Sequence, residues 1–308
     1  MEVSLSMPSC SPAISCQGVT KSYGSVFALR GVDLEVPEGE VFGFLGPNGA
    51  GKTTLIRCLL NMIRPDGGRL RVLDRCPEMD SLAVKAETGY LPGELNLDPA
   101  LTVGQTLTLF RRLRGKSVAP RQVDVLAERL QLDLGRPIRH LSKGNKQKVG
   151  IIQAVMHEPR LLILDEPTSG LDPLMQREVL TLVLEAKARG ATVFFSSHLL
   201  SETEQVANRA AIVRAGEIVV SGETSDLLKN ALMRVNVTLE RAIAMEVFDR
   251  LPNVWVMANR SNRELALQVR GDLDALLRAL AGHGVRRFDP VPVTLEDVFL
   301  SHYQGVTS

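Results

Sequence analysis

Apolar and polar positions follow several periods along this chain, and the changes of period divide it. Between Ala13 and Val36 two strand-like stretches, AISCQGV and SVFALRGVDLEV, flank the turn Tyr23-Gly24 and predict an antiparallel β layer. Phe42 to Leu45 is a short apolar run that leads into a glycine-rich turn and the start of a helix. Helical spacing then runs from Thr54 to Ile63 and stops at Pro65-Asp66-Gly67-Gly68, a turn signal. Leu70 to Leu73 and Gly89-Tyr90-Leu91 read as strand segments.

The period turns helical over 95 to 155, a helical insert. Thr102 and Gln105 form a capping box for LTVGQTLTLFRRLR, and PRQVDVLAERLQL repeats the helical spacing. Leu161 to Leu164 and Thr192 to Phe195 are continuous apolar runs, the pattern of parallel strands buried on both faces, with a helix around Leu174 to Ala188 between them. AAIVRAGEIVVSG predicts a hairpin about Ala215-Gly216, and a helix near Ser225 to Asn230 closes this part. Beyond Leu232 the order strand, helix, strand, strand, helix, strand predicts a small split βαβ, ferredoxin-like module. The fold class read here is α/β with an antiparallel layer, a helical insert and a C-terminal α+β module. The expected division is a disordered, Ser/Pro-rich lead over 1–12, a main domain over 13–230 and an accessory domain over 231–308.

Composition narrows the function classes. With 36 basic and 35 acidic residues the formal net charge is +1, so the basic footprint of a nucleic-acid binder is missing and no nucleic-acid partner is expected. No run reaches the roughly 18 apolar residues that cross a bilayer, and MEVSLSMPSCSPA lacks the pattern of a signal peptide. A cytosolic protein is expected; any membrane work would fall to another subunit. Cys10, Cys16, Cys58 and Cys76 have no metal-finger spacing. Cys58 falls on the apolar face of a helix as core filler, and a Cys10–Cys16 redox pair is disfavoured in a reducing compartment.

The chemistry begins at FGFLGPNGAGKTT, Phe42 to Thr54. Gly46, Gly51, Lys52 and Thr53 fit G-x-x-x-x-G-K-[ST], a loop whose backbone N–H groups can cradle phosphates. Lys52 would reach the β- and γ-phosphates, and the Thr53 hydroxyl can ligate Mg²⁺. Asp165 and Glu166 follow a buried strand at its C-terminal end, where Asp165 can hold the magnesium shell and Glu166 can polarise a water. His198 follows the next apolar strand and can donate to a γ-phosphate oxygen. Ser142 caps a helix whose first turn contains Gly144, a second anion-binding helix start that suggests an interface with another subunit's nucleotide. Tyr23 could stack on a purine base or be a half-buried rim aromatic.

With these motifs in this order, the chain resembles the ATP-binding subunits of ABC transporters over about 13 to 230. Gly46 to Thr54 matches the Walker A loop, Leu161 to Glu166 the Walker B strand, Ser169 to Asp172 the D-loop, and His198 the switch histidine. LSKGN, Leu141 to Asn145, is similar to the signature LSGGQ, and Tyr23 matches the adenine-stacking aromatic. The resemblance implies a P-loop NTPase fold of ABC type, ATP and Mg²⁺ as ligands, and a head-to-tail homodimer that drives an integral membrane permease from the cytoplasmic side. It implies nucleotide contacts at Tyr23, Gly46, Asn48, Gly49, Gly51, Lys52, Thr53, Thr54, Ser142, Gly144 and Asp172. Glu166 is implied as general base and His198 as its companion, with metal contacts at Thr53 and Asp165. Where the family has a metal-sensing glutamine, this chain has Gly93 followed by Glu94; either Glu94 substitutes after a loop shift or the contact is absent.

The LSKGN variant and the C-terminal TLEDVFLSHY resemble the exporter branch that pairs with ABC-2 type permeases, including antibiotic and multidrug efflux systems. Two competing readings are a soluble ABC ATPase acting on ribosomes or DNA, and a regulatory nucleotide switch. Single copies of each motif and the absence of extended heptads oppose the first, and Lys52, Asp165, Glu166 and His198 together oppose the second.

Overall fold

The computed structural model describes residues 11–114, 118–229, 232–291 and 294–304. Most of the expected disordered lead, with Cys10, and Asn230 at the end of the predicted closing helix, lie outside these residues. The chain divides into two compact units at Ser221/Gly222, earlier than the 230/231 boundary suggested by the periodicity. The difference is a short helix, Thr224–Lys229, which packs on the chain's last helix.

In the first unit β1 (Ile14–Tyr23) and β2 (Val26–Val36) form the expected antiparallel pair. β3 (Val41–Leu45), α1 (Lys52–Leu59) and β4 (Gly67–Val72) follow, and β4 joins the free side of β1. Gly67 and Gly68 therefore open a strand instead of lying in the turn before it. At Gly68, φ is +88° and a Cβ would stand 2.5 Å from the Gly18 carbonyl oxygen, so only glycine lets this strand close on β1. α1 ends earlier than Ile63, because Asn61 adopts φ 49° and the Met62 N–H donates back to the Arg57 carbonyl.

α2 (Ser81–Glu87), β5 (Thr88–Leu91), α3 (Val103–Leu113), α4 (Pro120–Arg129) and α5 (Lys143–Val155) come next. The capping box of α3 is formed as read: the Thr102 hydroxyl accepts from the Gln105 N–H, and Gln105 Oε1 accepts from the Thr102 N–H. β6 (Leu161–Asp165), α6 (Pro173–Ala188), β7 (Thr192–Ser197), α7 (Leu200–Val206), β8 (Arg209–Arg214) and β9 (Glu217–Glu223), whose last two residues run past the division, complete the unit. Six strands form the central sheet in the order β5-β6-β7-β3-β8-β9, parallel from β5 to β8. Ala215 and Gly216, both at positive φ, make the expected turn between β8 and β9.

The central strands β3, β6 and β7 are buried on both faces, which explains their apolar runs. Phe42, Phe44, Leu161, Ile163 and Phe194 face a core shared with the β layer and α1, where Phe44 and Phe194 rings lie 5.5 Å apart. Their neighbours Val41, Leu162, Leu164, Val193 and Phe195 face the core formed with the helical insert and α6. Cys58 is buried in the first of these cores, and burial pushes its thiol up to about 11. Cys16 is also a buried free thiol.

The second unit contains α8 (Thr224–Lys229), β10 (Leu232–Leu239), α9 (Glu246–Asp249), β11 (Val254–Asn259), β12 (Glu264–Arg270), α10 (Asp274–Ala281), β13 (Val285–Val291) and α11 (Leu295–Gln304). Its antiparallel sheet has the order β11-β12-β10-β13. Val235, Val237, Leu265, Leu267 and Val269 alternate onto one face and pack with Leu276 and Leu280 of α10. α9 is a single turn where the predicted helix takes in AIAMEVFDRL, Ala242 to Leu251. Ile243 and Phe248 are both core residues, and five positions apart they cannot share one helical face.

Candidate nucleotide site

The site is assembled by strand order. β6, β7 and β3 are neighbours and parallel, so Asp165, Ser197 and Leu45 end side by side at one edge of the sheet. The residues that follow each strand therefore meet there.

Gly46 leaves β3 under steric compulsion: a Cβ would lie 2.3 Å from the Val213 carbonyl oxygen. Gly51, at φ +108°, is pressed so close to β2 that a Cβ would lie 2.4 Å from the Ala28 carbonyl oxygen. Between them Asn48 and Gly49 are exposed at the tip of the loop. Gly51 is the N-cap of α1 and supplies no side-chain acceptor, nor does any acid occupy the first turn. The leading N–H groups of α1, those of Lys52, Thr53 and Thr54 among them, are thus left without a side-chain cap, as an anion site requires.

Lys52 is almost wholly buried and curls over the loop. Its Nζ donates to the Gly46 carbonyl at 2.6 Å and stands 3.3 Å from Glu166 Oε1. Across the same edge the Thr53 hydroxyl donates to Asp165 Oδ2 at 2.8 Å, while Ser196 Oγ donates to Asp165 Oδ1 at 2.5 Å. Glu166 Oε2 pairs with His198 Nδ1, so the glutamate is held between a lysine and a histidine from two other segments. Its backbone adopts φ 53°, a conformation costly for a non-glycine residue and concentrated at functional sites. The N–H of Glu166 donates to the Ser196 carbonyl and lies within hydrogen-bonding distance of its hydroxyl, which fixes the turn.

The oxygen donors at Thr53 and Asp165 are the hard ligands that Mg²⁺ takes, and it commonly completes its shell with phosphate oxygens and water. Thr53 and Asp165 supply two oxygens, fewer than the six of an Mg²⁺ shell, so the donor set fits an ion shared with a phosphate ligand and water. A Cβ on Gly93 would point at Asp165 Oδ2 from 3.2 Å, which places this position beside the carboxylate with no side chain to use. Glu94 is exposed, and none of the hydrogen bonds of the site involves it.

The other expected residues group elsewhere. Ser142 caps α5 by accepting from the Asn145 N–H at 3.3 Å. Gly144 lies against the loop after β6, where a Cβ would stand 2.5 Å from the Gly170 carbonyl oxygen, and Lys143 Nζ reaches Ser169 Oγ at 3.4 Å. Asp172 caps α6 through the Leu174 and Met175 N–H groups. These residues form one surface with the 169–172 loop and share no hydrogen bond with Gly46 to Thr54. Gln147 is the link between the groups, donating to the Glu166 carbonyl at 3.0 Å. Tyr23 is half exposed at the end of β1, with Lys21 Nζ 5.9 Å from the ring centre.

Ser196 and Gln147 were not legible as site residues. A hydroxyl pair ahead of His198 in an otherwise apolar strand was the available signal for Ser196; nothing local marked Gln147.

Residues 29–169 match the protein family described as ABC transporter. The chain is 37% identical over 310 residues to the daunorubicin resistance ATP-binding protein DrrA3 of Streptomyces coeruleorubidus, covering 95% of this chain and 96% of that one. It is 33% identical to the Nod factor export ATP-binding protein I of Cupriavidus pinatubonensis, over 96% of this chain and 92% of the relative. A solved ATP-binding subunit of an ABC transporter superposes with a TM-score of 0.66 at 30% identity, over 70% of this chain and 91% of that chain.

Proposed function

We propose that this chain, which belongs to the ATP-binding proteins of ABC transporters and is an ATPase of that family, powers a separate integral membrane permease of the ABC-2 type. The cargo class we infer is a drug, antibiotic or other hydrophobic compound moved outward. The observation that carries the chemistry is the clamp on Glu166 by Lys52 and His198, next to the Thr53–Asp165 pair. The export role is supported by similarity to a resistance protein that runs through both units of the chain. No helix among the described residues is long and apolar enough to cross a membrane, so the passage would belong to the partner.

In this reading the uncapped N–H groups of Gly51 to Thr54 receive the β- and γ-phosphates, and Lys52 exchanges its loop carbonyls for phosphate oxygens. Thr53 and Asp165 would hold Mg²⁺, which when bound neutralises charge on the phosphates. Glu166 accepts the proton of the attacking water, and His198 orients that carboxylate and donates toward the γ-phosphate. Ser142, Gly144 and Asp172 act from the other protomer of a homodimer, because their surface is built apart from the chain's own phosphate loop. Tyr23 supplies the base-stacking face. The second unit, which has its own core, stabilises or regulates the dimer.

The test is recovery of tagged protein from gently solubilised membranes of the source cell, followed by ATPase assay with what comes along. A polytopic partner that stimulates hydrolysis supports the coupling role. Recovery with ribosomal partners and no membrane protein would overturn it in favour of a soluble ABC ATPase.

A further inference from the structure

Ser196 and Ser197 are successive residues of β7, so their side chains leave the strand on opposite faces. Ser196 is tied to Asp165 and Glu166. Ser197 is tied to something the reaction does not use directly: the carboxylate of Glu202, whose Oε2 accepts from Ser197 Oγ at 3.0 Å. Both residues are buried, Glu202 at 5% exposure and Ser197 at 1%. Ser197 Oγ in turn accepts from the Leu199 N–H at 2.9 Å.

The geometry resembles a capping box with one relay added. Glu202 is the third residue of α7 and Leu199 its N-cap, and a glutamate at that position ordinarily accepts from the N-cap N–H itself. Here the Ser197 hydroxyl accepts from that N–H and donates its own O–H to the carboxylate. The relay closes around one residue, His198, whose side chain is half exposed and paired with Glu166. An exposed imidazole has little packing to hold it, so the turn beneath must set its place.

We propose that Glu202 is a positioning residue for His198: through Ser197 it fixes the turn that presents the imidazole to Glu166. This rests on the ATPase reading, in which His198 and Glu166 serve hydrolysis. Burying a carboxylate is costly unless it accepts hydrogen bonds, and this one is placed where its bond rigidifies a catalytic loop.

The experiment measures steady-state ATP hydrolysis by the full chain carrying Ser197→Ala, Glu202→Ala or Glu202→Gln, each in the native and the His198→Ala backgrounds. Ser197→Ala conserves volume and keeps the test valid should Glu202→Ala misfold. The expected result is a loss in kcat of about tenfold for Ser197→Ala and Glu202→Ala with KM changed by less than about twofold. Glu202→Gln, which still accepts from Ser197, recovers most of the activity. In the His198→Ala background none of the three lowers kcat further. An unchanged kcat for Ser197→Ala, or equal losses in both backgrounds, would overturn the proposal. Two controls keep the readings apart: no hydrolysis by the native chain would refute the ATPase assignment itself, and unchanged hydrolysis in Glu166→Gln would reassign the base, each separately from the role of Glu202.

Discussion

The Thr53 hydroxyl donates a 2.8 Å hydrogen bond to Asp165 Oδ2, joining residues 112 apart in sequence. Both oxygens are suited to one divalent cation, so breaking the pair should act on the metal and leave the fold intact. Thr53→Val, close in shape, is expected to raise the Mg²⁺ concentration for half-maximal hydrolysis by about tenfold or more. Its thermal unfolding midpoint without nucleotide should stay near that of the native chain. A native-like Mg²⁺ titration would remove Thr53 from the metal shell.

Glu166 has cationic or protonatable partners on both carboxylate oxygens and a strained backbone, the setting of a working base. Glu166→Gln should lower hydrolysis by roughly 10²- to 10⁴-fold while ATP binding persists. Size-exclusion chromatography with ATP should show an accumulated dimer. Unchanged turnover would reassign the base.

Lys143 stands in the first turn of α5, where no acid offsets it and a cation opposes the helix dipole. That unfavourable placement is relieved by an anion, and the anion available in the proposed dimer is the partner's triphosphate. Lys143→Glu placed in the Glu166→Gln chain should abolish ATP-driven dimerisation and leave ATP binding by the monomer unaltered. Dimers forming as before would rule out a contact across the interface.

His157, after α5, is held by burial and then by the Arg114 guanidinium well below its ordinary 6.5, at about 4. The unfolded chain binds this proton first as pH falls, so the folded state loses stability progressively from about pH 6.5 to about pH 4 and loses no more from this group below that. Denaturant unfolding at pH 7 and pH 5 should show a smaller acid loss for His157→Gln than for the native chain. Equal losses would place the acid sensitivity elsewhere.

The phosphate loop was legible because its chemistry is contiguous: Gly46, Gly51, Lys52 and Thr53 lie within eight positions, and strand and helix patterns flank them. The buried strands were legible too, since Leu161 to Leu164 of β6 and Val193 to Phe195 of β7 are unbroken apolar runs, as a doubly covered sheet demands. Elements whose shape depends on distant backbone were less so. Gly68 reads as a turn residue until β1 lies beside it, and α9 reads as a longer helix until Ile243 and Phe248 must both be buried.

By itself the sequence determined where a phosphate-loop pattern lies and where most strands and helices would run, because those properties are written in local spacing. Only the tertiary structure decided what meets what. The order β6-β7-β3 brings Asp165, Glu166 and His198 to the edge where the loop of Lys52 and Thr53 lies, and it ties Ser196 to Asp165 and Glu166 and leaves Ser197 bonded to Glu202. Ser142, Gly144 and Asp172 went instead to a surface shared with the 169–172 loop. Parallel pairing between distant strands is a non-local choice, set by burying both sheet faces at once, and no local period records it.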